Sequence, residues 1–273
     1  VLMRSLTVAF TTFQESVRQP VFYTLVVLGT VLLVFSFVMP TFTMGIEEVK
    51  FVRDMGLGTY TLCILLLGIF SAANLITTEI ENKTAMTVMS KPLRRYEFVI
   101  GKFLGIAFSV AFLGVLLATV FVAIIVAKVT SGDIVSFRTT AYESVWPNVE
   151  VVFPGLILGL FETLILTAVS VALSTRLPMV LNVSISFGLF IIASISGPVV
   201  DYLQQQNSNA YRIAKVFYYI LPNFQSNTET YSAIGLGRAV PFGLVALTVL
   251  YSILYISVAI AAGILLFQDR ELG

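Results

Sequence analysis

Charge is missing from long stretches of this chain. Residues 19–46, 55–78, 103–127, 177–200 and 239–268 contain no Asp, Glu, Lys or Arg, and residues 151–175 contain one, Glu162. A helix crosses the roughly 30 Å of bilayer hydrocarbon with about 20 apolar residues. Each stretch is continuous rather than alternating over about ten residues, which predicts helices and not barrel strands. The expected spans are 21–43, 57–78, 99–127, 152–175, 178–200 and 241–267. Composition agrees: 58% of the chain is hydrophobic and 11% charged, against roughly 25% charged in soluble domains. A water-soluble fold of this size could not cover itself with polar surface, which excludes a cytosolic enzyme, a disordered chain and a secreted domain. The expectation is an all-α membrane protein with six transmembrane helices, forming one domain over residues 1–273.

The remaining counts narrow the function classes. A net charge of +1 gives no field to attract nucleic acid. The single cysteine, Cys63, permits no intramolecular disulfide and reads as a small buried apolar residue. With no histidine in the chain, the donor set for a zinc, copper or haem site is lacking, so no metal is expected here.

Residues 1–18 place Leu2, Leu6, Phe10, Phe13 and Val17 at helical spacing, with Arg4, Thr7, Thr11, Gln14, Glu15 and Arg18 largely on the other side. This pattern predicts an amphipathic helix in the membrane interface. The first span is too long for a signal-peptide core and lacks a small-residue cleavage site after it, so it is expected to be retained. With the N-terminus inside, the inner segments hold Arg4, Arg18, Lys83, Lys91, Arg94, Arg95, Lys102, Arg176 and Arg270 out of sixteen Lys and Arg. The cluster from Lys83 to Lys102 sets the orientation, with both termini cytoplasmic. Residues 128–150 read as a polar outer loop containing Trp146 and Pro147. Arg176–Pro178 is a minimal turn that makes its flanking spans antiparallel neighbours. In the outer connection 201–240, AYRIAKVFYYILPN reads as an amphipathic helix, lying in the interface or re-entering the bilayer, stopped by Pro222. Pro241 stands where a first helical residue would open the last span.

The inner connection, residues 79–98, is the most informative. Glu79 and Lys83 lie one helical turn apart in the favourable order. Met86 and Met89 add apolar character, Pro92 ends a helix near Lys91, and Arg94 and Arg95 sit at headgroup depth. A basic lipid anchor would account for the arginines. It does not account for Glu79 and Glu81 beside the membrane, whereas a surface docking another protein accounts for both signs.

The run E-I-E-N-K-T-A-M-T-V-M-S-K-P-L-R-R-Y-E-F-V-I-G-K-F-L-G from Glu79 to Gly105 resembles the signature loop of ABC type-2 exporter permeases. Glu79, Glu81, Thr84, Ser90, Pro92, Arg94 or Arg95, Phe98, Gly101, Lys102 and Gly105 fall on the pattern's positions. The amphipathic start with Phe13, Glu15 and Arg18 resembles the family's elbow helix, and Arg53-Asp54-Gly56-Leu57 and Leu221-Pro222-Asn223 are further points of likeness. The resemblance implies a membrane subunit of an ATP-driven exporter, paired with a second permease copy or homologue. Each permease would dock an ABC ATPase subunit, two copies in all, which would hold ATP and Mg²⁺. It further implies a bacterial inner-membrane location and a cytoplasmic coupling segment at 79–98. Glu79, Glu81, Lys83, Thr84, Met89, Ser90, Pro92, Arg94 and Arg95 would be its ATPase-coupling residues. This chain has no G-x-x-x-x-G-K-[ST] phosphate cradle: Gly101-Lys102 is followed by Phe103 and has Tyr96 where the first glycine would stand. It is therefore expected not to be an enzyme, hydrolysis belonging to the partner. The alternatives are a scaffold or accessory subunit of the same fold that moves nothing, and an ion-coupled secondary transporter, which the few intramembrane charges disfavour.

Inside the spans, Glu162 is costly, by roughly 2.5–3.5 kcal/mol at mid-bilayer. It is either an element of the transport route or a carboxyl bonded to hydroxyls of a packed neighbour, its own helix offering Thr163, Thr167 and Ser170. Gly101–Gly105 and Gly155–Gly159 form G-x-x-x-G pairs suited to close helix packing. Asn182-Val183-Ser184 matches a glycosylation pattern but lies in a span. Phe217, Tyr218 and Tyr219 belong to an interfacial belt or an outer gate. No motif selects a substrate.

Overall fold

The computed structural model of the chain describes residues 2–38, 47–81, 95–130, 141–205, 211, 215, 218, 221–222 and 224–268; at 2–4, 47–49, 79–81, 95, 141–144, 205, 225–226 and 268 it describes the backbone alone. These residues form helices and turns, with no strand among them. In chain order the helices are α1 (Leu2–Arg18), α2 (Pro20–Val38), α3 (Glu47–Glu81), α4 (Arg95–Thr130), α5 (Ala141–Glu150), α6 (Phe153–Ser174), α7 (Met179–Gln205), α8 (Gln225–Gly235) and α9 (Phe242–Gln268). Six segments are long and apolar enough to cross a membrane: Pro20–Val38, Lys50–Thr78, Tyr96–Thr130, Val145–Ser174, Met179–Gln204 and Phe242–Phe267. The all-α, six-span architecture read from charge spacing is the observed one.

Local chemistry sets several boundaries. Pro20 opens α2, where a missing N–H costs nothing. Pro241 stands one residue before α9, and its carbonyl accepts from the Leu244 N–H at 3.0 Å. Between α6 and α7, the Arg176 and Leu177 N–H groups both close on the Leu173 carbonyl, at 3.0 and 2.9 Å, turning the chain within the expected few residues. The helices overrun the charge-free stretches where charged side chains find partners. Glu47 to Asp54, expected in a loop, form the first turns of α3, with Lys50 and Asp54 one turn apart. At the far end of α4, buried Lys128 lies with its ammonium 5.2 Å from the Phe37 ring centroid. The expected outer loop 128–150 contains helix α5, and the fourth apolar segment starts at Val145 rather than 152. Of the expected amphipathic helix before Pro222, only Tyr211, Lys215 and Tyr218 are described, and they are helical. Phe217 and Tyr219 lie outside the described residues.

Helices α3 and α6 form the centre. α3 packs on α2, α4, α6, α7 and α8, and α6 on α3, α4, α7 and α9. About seven-tenths of the central α3 span is buried, against 17% for the spans of α7 and α9. Leu33, Cys63, Ile64, Leu67, Ile106, Leu113, Leu117 and Phe121 fill the core. Apolar burial gives helices in lipid no net pull toward each other, so close backbone approach and polar cross-links carry the packing. α1 shows this: Ser5, Ala9, Thr12 and Ser16 are buried while Leu6 and Phe10 face outward. The small face lies on α4, where a Cβ on Gly105 would stand 2.5 Å from the Ala9 carbonyl oxygen and from Thr12 Cβ. Ser16 and Ser71 share a 3.1 Å hydrogen bond to α3, and Lys102 pairs with Glu15 at 3.6 Å.

Candidate functional site

The intramembrane carboxylate is the focus of the site. Glu162 lies nine residues into α6, about 14 Å along the helix, and is only 4% exposed. Its Oε2 accepts from Asn227 Nδ2 at 3.1 Å and from the Tyr231 hydroxyl at 3.2 Å. Both donors come from α8, four residues apart and so on one helix face. Of the hydroxyls on α6 itself, those of Thr167 and Ser170 serve other partners, and that of Thr163 is buried without one among the described residues. Thr167 Oγ1 donates to the Thr163 carbonyl at 2.8 Å, and Ser170 Oγ to Asn182 Oδ1 at 3.2 Å. Asn182, which matched a glycosylation pattern, is a buried cross-link between α6 and α7, donating to the Ser170 carbonyl at 3.0 Å and accepting from Ser186 at 3.1 Å.

Tyr231 reaches Glu162 because Gly159, one turn earlier on α6, leaves bare backbone beneath it. A Cβ at 159 would stand 3.1 Å from the Tyr231 hydroxyl and 2.8 Å from Thr61 Oγ1. Burial first, then the Glu162 charge, push the Tyr231 phenol well above its ordinary 10.0. The hydroxyl is therefore a proton donor throughout the neutral range.

The other end of α8 is clasped by the start of α3. Arg53 is buried; its Nη1 donates to the Ile234 carbonyl at 3.4 Å and its Nη2 to Asn148 Oδ1. The helix ends in a left-handed glycine, Gly237 at φ 71, with Arg238 N–H bonded to the Ala233 carbonyl and Gly237 N–H to that of Ile234, each at 2.9 Å. A side chain at 237 would lie 2.8 Å from Arg53 Nη1. Buried Phe224, just before α8, packs with Leu65, Ile69, Ile165 and Leu166.

Between α3, α6, α7 and α8 these contacts enclose a cavity of about 570 Å³. Leu57, Leu62, Leu65, Phe187 and Phe190 give it an apolar wall, interrupted by Glu162, Thr61 and Tyr231, with Lys50 and Asp54 also on the lining. The Phe187 and Phe190 rings meet at 6.2 Å with an interplanar angle of 61°. Along α3 the cavity lining runs from Lys50 to Leu65, away from the Glu81 end of that helix. Among the described residues no three His, Cys, Asp or Glu gather as a metal set.

Three of the expected coupling residues are described. Glu79 and Glu81 are in the last turn of α3 and Arg95 is the first residue of α4, each described by backbone alone. Lys83, Thr84, Met89, Ser90, Pro92 and Arg94 lie outside the described residues. Gly101, like Gly105, faces α1, and Gly155 faces Leu57 and Ile234. Sequence reasoning overlooked Asn227, Tyr231, Phe187 and Phe190. The first two left a faint trace: in Q-S-N-T-E-T-Y-S-A-I-G a polar and an aromatic residue stand at helical spacing just after a proline stop.

Compared with curated proteins, the chain matches none. A family model described as ABC-2 family transporter protein matches residues 6–272, which takes in all six apolar spans and the cavity between them. The chain belongs to the ABC-2 transporter family as a membrane-embedded transport component.

Proposed function

We propose that this chain is the membrane-spanning permease subunit of an ATP-driven ABC exporter. Membership of the ABC-2 family over residues 6–272 carries the reading. Members of that family generally pair with an ABC ATPase subunit. In this assembly two permeases, identical or homologous, each engage one ATPase, and ATP and Mg²⁺ are held by the ATPases. The segment 79–98 is the ATPase-coupling element, with Glu79, Glu81, Lys83, Thr84, Met89, Ser90, Pro92, Arg94 and Arg95 facing the motor. Both termini are cytoplasmic in a bacterial inner membrane, and the cavity beside Glu162 belongs to the substrate route. Two features support this arrangement: the segment joins α3 and α4, the longest of the described helices, and the cavity is lined by α3 from Lys50 to Leu65, away from its Glu81 end.

The test is co-expression with candidate ABC ATPase subunits of the same organism, using Cys63→Ala as background. A cysteine at Ser90 should react with a membrane-impermeant maleimide only in inside-out vesicles and should cross-link to the ATPase. Reaction from the outside, or failure of any ATPase to co-purify, overturns the proposal. ATP turnover that requires the chain but answers to no cargo would mark an accessory subunit instead.

A further inference from the structure

Glu162 is a buried acid whose partners, among the described residues, are two neutral groups. Asn227 and Tyr231 both bond Oε2, and no Lys or Arg among the described side chains pairs with it. Buried carboxylates are ordinarily matched by a positive charge or by a metal. The lysine on the same cavity, Lys50, is exposed and has Asp54 one turn away on α3, so those two charges offset one another and leave Glu162 as the excess charge of the lining. Apart from the hydroxyls of Thr61, Ser194, Thr228, Tyr231 and Ser232 the wall is apolar and aromatic, and the volume of about 570 Å³ falls among organic-ligand sites and far above what a bare ion fills. Aromatic faces beside a carboxylate favour instead a charge that is large and weakly hydrated.

We propose that the cavity between α3, α6, α7 and α8 binds an amphipathic organic cation, an ammonium carried on an aromatic or apolar body, with Glu162 as its counter-ion. This deepens the transport reading given above, since it names the class of cargo that the route accepts. Asn227 and Tyr231 fix one carboxylate oxygen, leaving Oε1 for the ligand. Phe187, Phe190 and Leu62 take its body. The same arrangement rejects anions, which would meet Glu162 in a medium too dry to screen them.

The experiment uses the full chain in lipid nanodiscs, alone and with its ATPase. Ethidium, a permanently charged aromatic cation, is titrated by fluorescence anisotropy against empty nanodiscs, with neutral N-phenyl-1-naphthylamine in parallel. Wild type should bind ethidium saturably. Glu162→Gln keeps an acceptor for Asn227 and Tyr231 and should weaken ethidium by about tenfold or more. The neutral probe should move by less than about twofold. Gly58 lines the cavity, and a Cβ there meets nothing within 4 Å, so Gly58→Phe should fill the space without disturbing the fold and abolish binding of both probes. The proposal is overturned if wild type shows no saturable ethidium binding. It is equally overturned if Glu162→Gln binds ethidium as wild type does, or loses both probes in parallel. An ATPase that associates and turns over while ethidium ignores Glu162 removes this proposal and leaves the permease reading intact. Ethidium that obeys Glu162 in a chain no ATPase joins does the reverse.

Discussion

Replacing Tyr231 by Phe removes a single hydroxyl from the contact between α8 and α6, and its effect should be confined to α8. Glu162 Oε2 has two donors, at 3.1 and 3.2 Å, and the substitution leaves Asn227 alone. A hydrogen bond to an ionised acceptor contributes about 1.5–3 kcal/mol. Each 1.4 kcal/mol corresponds to about a factor of ten in an opening equilibrium. The remaining anchors of α8, the Arg53 bond to Ile234 and the Phe224 packing, are untouched, so α8 should open locally more often without unfolding the bundle. Hydrogen exchange by mass spectrometry reads this directly: amides of 225–235 should exchange about ten- to a hundredfold faster, with the interior of α4 unchanged. In a Glu162→Gln background both bonds become neutral, and Tyr231→Phe should cost only about 0.5–1.5 kcal/mol. Exchange in α8 within about threefold of wild type, or equal acceleration in α4, would refute the assignment of Tyr231 as an anchor.

Other substitutions probe the remaining contacts. Gly105→Val should press on the Ala9 carbonyl and Thr12, cost about 1–3 kcal/mol and lengthen spin-label distances between α1 and α4. Arg53→Met strips the donors from the Ile234 carbonyl and Asn148; the melting midpoint should fall by the equivalent of about 2–4 kcal/mol, with α8 the first segment to lose exchange protection. The raised phenol of Tyr231 favours the folded state fully below its ordinary 10.0 and loses that contribution as pH rises through the raised value. Docking of α8 should therefore lose the Tyr231 contribution in strong alkali, and Tyr231→Phe should remove that alkaline step in a 295 nm absorbance titration. Asn182→Leu leaves Ser170 and Ser186 without their shared partner and should cost about 1–2 kcal/mol by thermal denaturation, with no change in glycosylation state.

The bilayer made much of this fold readable. Lipid cannot hydrate backbone or charge, so a stretch such as 103–127 has one structural option. What charge spacing could not give was where each helix stops. Lys128 and Arg53 break the apolar pattern, yet both are buried, one against Phe37 and the other under α8. Those partners lie far away in sequence and are visible only once the chain is folded. The same reason hid the site. Glu162 stood out as a lone charge, but its donors lie 65 and 69 residues later, in a segment polar enough to pass for loop. Phe187 and Phe190 looked like any lipid-facing residues of α7. The small face of α1 was likewise obscured, since Ser5, Ala9, Thr12 and Ser16 weigh little beside Leu6 and Phe10 in a hydropathy pattern.

Helices α3 and α4 run 35 and 36 residues with no proline in either, so each is a continuous rod of about 50 Å at 1.5 Å per residue. The hydrocarbon accounts for about 30 Å of that length, and the surplus is taken up by tilt or by reach beyond the bilayer. A rod of this kind does not absorb displacement; it conveys it. Pivoting α3 by about 5° around its midpoint would carry each tip through about 2 Å in opposite senses. Whatever tugs on the Glu81 tip is thus felt at Asp54 and Leu57 as a shift comparable to the slack in a 3.4 Å hydrogen bond, with no relay of side chains needed in between.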